Sequence, residues 1–127
     1  MSIADGTSNT LMLSEQIMGP DDSEDWRGDF LNDDQQTGKF NTIDLPNSGV
    51  DWFRTGYAPS CVNTLQLPCM LTPASQGGKI AARSRHTGGV NVGMCDGSVT
   101  FIRDSISLEV WRALGTANGG EPNTNFQ

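Results

Sequence analysis

"VNVGMCDGSVTFIR", residues 90–103, sets two short apolar-rich runs on either side of an Asp-Gly pair. Asp-Gly favours a two-residue type I′ hairpin turn, because both residues tolerate positive φ. Folding the chain there opposes Cys95 to Ser98, Met94 to Val99, Gly93 to Thr100 and Val92 to Phe101. One face then collects Met94, Val99, Val92 and Phe101, and the other the small Cys95, Ser98, Gly93 and Thr100. A half-buried ribbon selects the register that separates large apolar residues from small ones. The stretch predicts an antiparallel hairpin over 90–103.

Working outward, "KIAARSRH" (79–86) reads as a strand that turns through Thr87-Gly88-Gly89 into the hairpin, giving a sheet section over 79–103. Arg83 and Arg85 share its face opposite Ala82 and Ser84, directed to solvent or to the acidic loop. On the other side, "DSISLEVWRALGT" predicts a helix over 108–114. Ser107 is placed to cap its start and Gly115 its end. Ile106 and Trp111 form a hydrophobic staple, while Val110 at the third helical position leaves no capping box. So short a helix forms only if docked, through Leu108, Trp111 and Leu114. Residues 116–127 read as a tail. Near the start, Leu11, Met12 and Leu13 in "ADGTSNTLMLSEQI" predict a buried strand over 9–16.

Between these lies a loop-rich acidic and aromatic section, 17–78, punctuated by "DLPNSG", "APSC", "LPC" and "LTPASQGG". Trp26, Phe30, Phe40, Trp52, Phe53 and Tyr57 anchor it. The 127 residues form one domain. The expected class is α+β: an antiparallel, sheet-rich and loop-rich head with the short C-terminal helix packed on one sheet face. A net charge of −7 argues against nucleic acid or anionic lipid as a partner. No apolar run approaches the roughly 18 residues of a membrane span, so no membrane contact is expected of this part of the chain.

Cys61 and Cys69 bracket "VNTLQLP" in an irregular stretch with little core of its own. Two readings are open, a small disulfide ring worth about 2–3 kcal/mol or two buried thiols. The disulfide is preferred and leans the domain outside the cytoplasm. Cys95 is left over as a thiol flanked by strand residues, and no Cys or His spacing suits zinc.

Three segments together, "ADGTSNTLMLSEQ", "RSRHTGGVNVGMCDGSVTFI" and "VWRALGTANGGE", resemble a large planctomycete family of unknown function with a prepilin-type N-terminus. Its C-terminal signature is a His, nine residues, then Asp-Gly, matched here by His86, Thr87 to Cys95, Asp96 and Gly97. The resemblance implies a type IV pilin-like or type II secretion pseudopilin-like protein of the cell envelope or cell surface. It also implies a membrane-anchoring N-terminal helix that these 127 residues do not contain. It brings no catalytic residues.

The lone His86 and Asp96 look like an acid–base couple until the hairpin is measured. Six strand residues at about 3.3 Å each separate them by roughly 20 Å. Asp96 and Gly97 therefore serve the turn, and Asp104 is the carboxylate expected beside His86. A hydrolase built on Ser84 and His86 lacks a Gly-x-Ser-x-Gly elbow, so no catalytic residue is assigned. The acids Asp21, Asp22, Glu24, Asp25, Asp29, Asp33 and Asp34 are seven of the fifteen in the chain. They read most plainly as a solvated loop. The alternative is a calcium site, with Asp21, Asp22, Asp25, Asp29, Asp33 and Asp34 as ligands. An EF-hand is ruled out, since the sixth position from Asp21 is Trp26 and not Gly. Calcium is the one cofactor under consideration. Trp26, Trp52 and Tyr57 read as core, with carbohydrate stacking as the alternative. The expected function is non-enzymatic, a pilin-like head working through protein partners or self-assembly. The alternatives are a carbohydrate- or calcium-binding module and, remotely, a hydrolase.

Overall fold

A computed structural model describes residues 2–20, 25–29, 39–54, 61–73 and 75–120. A 3-10 turn at Thr7–Asn9 leads into β1 (Leu11–Ser14), followed by β2 (Asp51–Arg54), β3 (Cys69–Thr72), β4 (Gly89–Met94), β5 (Val99–Arg103) and α1 (Leu108–Leu114). β1, β4 and β5 form an antiparallel sheet with β4 in the middle, and β2 and β3 form a separate parallel pair. The fold is α+β and sheet-rich, as the sequence predicts. The parallel pair inside the loop-rich section was not foreseen.

The hairpin forms, but in a register one residue away from the expected one. Val90 faces Ile102, Asn91 faces Phe101, Val92 faces Thr100 and Gly93 faces Val99. Met94 N–H donates to the Ser98 carbonyl at 2.9 Å, and Gly97 N–H to the Met94 carbonyl at 3.0 Å. The loop is therefore three residues long, Cys95-Asp96-Gly97, and only its last residue is left-handed, Gly97 at φ 87°. This is a turn closed by a glycine bulge, which Asp-Gly suits as well as it suits type I′. One residue of slip exchanges the faces of the second strand. Val99 and Phe101 point outward, 74% and 43% exposed, and Ile102 takes their place inside.

The inner face packs Val90, Val92, Met94 and Ile102 against Ala82 and against Trp111 and Leu114 of α1. Leu11, Phe40, Leu45, Ile106 and Val110 close the edges of this core. Ser107 Oγ accepts from Val110 N–H at 3.2 Å, capping α1. Trp111 Nε1–H donates to the Asp44 carbonyl at 2.8 Å, while Leu108 stays exposed. Gly115 is right-handed, so its glycine answers a close approach and not a left-handed cap: a Cβ there would collide with the Thr42 side chain.

The strand expected over 79–86 does not form. Lys79 makes one bridge to Trp52, and the chain then runs on without pairing with any strand. Its polar groups are claimed by loops instead. Ile80 and Ala82 carbonyls accept from Asn41 and Asn47 N–H, both at 2.8 Å. Ala81 N–H reaches Asp51 Oδ1 at 3.1 Å, Arg83 N–H the Glu15 carbonyl at 3.0 Å, and Ser84 N–H Asn47 Oδ1 at 2.8 Å. A ladder has no groups left to use. Arg83 is buried, 4% exposed, which corrects its expected solvent-facing position.

Candidate functional site

Both ends of the His-x9-Asp-Gly stretch hold the N-terminal segment. At the turn, Asp96 N–H donates to the Thr7 carbonyl at 3.0 Å and Cys95 N–H to the Thr10 carbonyl at 2.9 Å. Asp96 Oδ1 accepts from Ser98 Oγ–H at 2.6 Å and Ser98 N–H at 2.8 Å, and these bonds lower its carboxyl pKa. At the other end, His86 Nε2 lies 3.0 Å from Glu15 Oε1. Glu15 Oε2 accepts from Asn91 N–H at 2.8 Å and Oε1 from Asn91 Nδ2–H at 3.2 Å. The spacing between His and Asp-Gly thus spans β4 and grips the segment carrying β1 before and after the strand. Asp104 is not the partner of His86. It accepts from Asn47 Nδ2–H at 2.8 Å, because β1 runs antiparallel beside β4 and delivers Glu15 to the His86 end first.

Burial acts to raise the Glu15 carboxyl pKa, but the Asn91 and His86 hydrogen bonds outweigh it and hold it below the ordinary 4.5. A depressed folded pKa gives stability that is present above the unfolded value and lost as pH falls through the folded one. Wild type should therefore lose stability more steeply than Glu15→Gln as pH drops from about 4.5. Denaturant titrations at stepped pH check this, and parallel curves for the two proteins would remove the carboxylate from the clasp.

Beneath this region lies a buried chain of four charges. Arg27 grips Asp25, its Nε 2.9 Å from Oδ1, and reaches Asp51 Oδ2 with Nη1 at 3.0 Å. Asp51 Oδ1 then accepts from Arg83 Nη2 at 3.0 Å. Arg27 also donates to the Val62 and Leu67 carbonyls, at 3.0 and 3.1 Å, so it holds both arms of the 61–69 loop. A Cys61–Cys69 disulfide closes that loop. Cys95 is a free thiol in the hairpin turn, not in a strand.

Of the calcium set only Asp25 and Asp29 fall among the described residues. Asp25 is buried under Arg27 and unavailable to a surface cation, and Asp29 N–H closes a turn on the Trp26 carbonyl at 3.1 Å. Asp21, Asp22, Asp33 and Asp34 lie outside the described residues, as does Tyr57. Among the described residues no group of three or more His, Cys, Asp or Glu is placed to share a metal. Trp52 is half-buried, with Lys79 Nζ 4.2 Å above its ring centre and paired to Asp44 at 2.6 Å.

Two open surfaces stand out among the described residues. A cleft of about 500 Å³ at the His86 end is lined by Asn47, Arg83, Ser84, Arg85, His86 and Asp104. The outer sheet face carries Leu13, Val99 and Phe101 over glycines. Leu13 lies across Gly93, and a Cβ on Gly89 would meet the Phe101 ring at 2.7 Å. Sequence reasoning missed Glu15, Asn91, Asp51 and Arg27. The acidic Asp51 directly before aromatic Trp52-Phe53 was the one available sign of a buried carboxylate.

No curated protein and no solved structure matches the chain. Residues 1–109 match a family described as a protein of unknown function, DUF1559. The match takes in β1 to β5 and the start of α1, including every residue of the clasp and of the buried charge chain. The chain belongs to this family of unknown function.

Proposed function

We propose that the domain is non-enzymatic, the globular head of a pilin-like cell-envelope protein held at the membrane by a preceding helix, and that it works by contact with further copies of itself. The outer sheet face carries the reading. Leu13, Val99 and Phe101 stand exposed on it, and glycines beneath let Leu13 and Phe101 lie flat. Exposed apolar clusters of this kind mark contact surfaces. Copies carrying −7 repel one another overall, and the acid at this face, Glu15, is already paired with His86. The Cys61–Cys69 disulfide suits an extracytoplasmic site. His86, the only histidine, is occupied in a clasp on Glu15, which favours a structural role for it.

Val99→Cys in a Cys95→Ser background, expressed in the full-length protein and oxidised in cells, should give a disulfide-linked dimer. Glu109→Cys, exposed on α1, should give much less in the same background. Equal cross-linking at the two positions, or none at Val99, would overturn self-contact through this face.

A further inference from the structure

We propose that the groove centred on Arg85 binds the C-terminal carboxylate of an extended peptide whose last residue is apolar. The site is separate from the outer sheet face and does not depend on it.

Three contiguous depressions meet at Arg85 and Ile17. The largest is the polar cleft already described. A neighbour of about 450 Å³ is walled by Ile17, Met18, Pro20, Leu65 and Leu67. The groove therefore has a polar, hydrogen-bonding end and an apolar end, with Arg85 at their junction.

Among the described residues, the cations near the groove have prior claims except Arg85. Arg27 and Arg83 are bound to Asp25 and Asp51, His86 to Glu15, and Lys79 to Asp44. Asp104 on the facing wall is held by Asn47. Arg85 is exposed, and no described residue pairs with it. A guanidinium fork matches a carboxylate in a bidentate fashion. In a chain of net charge −7 a bare anion is repelled at long range, so the ligand must bring a second source of affinity. The apolar end supplies it. Leu65, 99% exposed, projects from the disulfide-closed loop beside Met18, itself largely exposed. A C-terminal apolar residue joins a carboxylate and an apolar side chain within a single residue, as the junction requires.

The walls are held in place before any ligand arrives. The 61–69 loop is cross-linked and fixed at Val62 and Leu67 by Arg27. The 83–86 segment is fixed by Arg83 on the Ser48 and Gly49 carbonyls, at 3.1 and 2.9 Å, and by the His86–Glu15 clasp. Little ordering remains to oppose binding.

The probe is N-acetyl-leucyl-leucine with a free carboxylate, titrated into the isotope-labelled chain and followed by NMR. Saturable shifts are expected at the Arg85 side-chain N–H and at the Met18 and Leu65 methyls. The C-terminal amide of the same dipeptide should bind at least about tenfold more weakly, the effect of losing a hydrogen bond to a charged group. Arg85→Gln should show the same loss with an unchanged melting temperature, and Leu65→Ser should weaken the free acid without abolishing the Arg85 shifts. Equal binding of acid and amide, or no saturation, would overturn the proposal. So would equal Arg85 shifts from sodium acetate at the same concentration, which would leave a bare anion site.

Discussion

Asp51→Ala should remove about 3–5 kcal/mol of folding stability, the usual loss when one partner of a buried ion pair is deleted. The Asp51 carboxylate takes Arg27 Nη1 on one oxygen and Arg83 Nη2 with the Ala81 N–H on the other. With Asp25 and Asp51 opposing Arg27 and Arg83, the four buried charges cancel. Deleting Asp51 leaves one positive charge uncompensated where water does not reach. Arg27 keeps Asp25, but Arg83 keeps only the Ser48 and Gly49 carbonyls. Against a typical total of about 5–15 kcal/mol, the variant falls near the threshold of folding. Asp51→Asn keeps the shape and an acceptor oxygen, so it should fall between wild type and Asp51→Ala. Urea unfolding followed by tryptophan fluorescence measures both. A loss under about 1 kcal/mol for Asp51→Ala, the range of a solvated pair, would show that the network is wet and does not fasten the 61–69 loop.

Local chemistry was legible in the sequence, and pairing across the chain was not. The Asp-Gly turn, the Ser107 cap, the span of α1 and the Cys61–Cys69 pairing each rest on neighbours a few residues apart, where turn and capping preferences act. The hairpin register was misread because Gly97 takes positive φ in either turn, and the choice falls to Asp96, which both turns accept. Hydrophobic sorting then favoured the wrong answer, since Val99 and Phe101 outweigh Ile102 in apolar area. The inner face is filled instead by groups from elsewhere, Leu11, Phe40, Leu45 and Trp111, which leave room for Ile102 and Thr100. The site partners fail to show for the same reason. His86 and Glu15 are 71 residues apart, and Arg27 and Asp51 are 24 apart. Asp25 and Arg27 are near neighbours in sequence, yet in an acid-rich loop nothing local marks them for burial. Arg83 was placed by a strand alternation that never arises, because Asp51, Asn47 and Glu15 take the backbone groups a ladder needs.

Trp111→Ala should cost about 3–5 kcal/mol, as expected for emptying a fully buried indole site. Trp111 has no exposed surface and packs in the cluster that joins α1 to Val90, Val92, Met94 and Ile102. Its Nε1–H also satisfies the Asp44 carbonyl, which ties α1 to the loop before β2. The seven residues of α1 cannot hold a helix by themselves, since isolated helices shorter than about 12 residues are marginal in water. Losing the indole therefore removes the docking that lets the helix exist as well as filling the core. The effect should be local first: amides of 111–116 should lose hydrogen-exchange protection while β4 and β5 amides keep theirs. Trp111→Phe separates the two contributions. It retains most of the packing but leaves the Asp44 carbonyl without its donor, so it should cost much less and keep α1 protected. If α1 amides stay protected in Trp111→Ala, the helix is held by Leu114 and by the Arg112 bonds to the Ile43 carbonyl at 2.8 and 3.1 Å, and the indole only fills space.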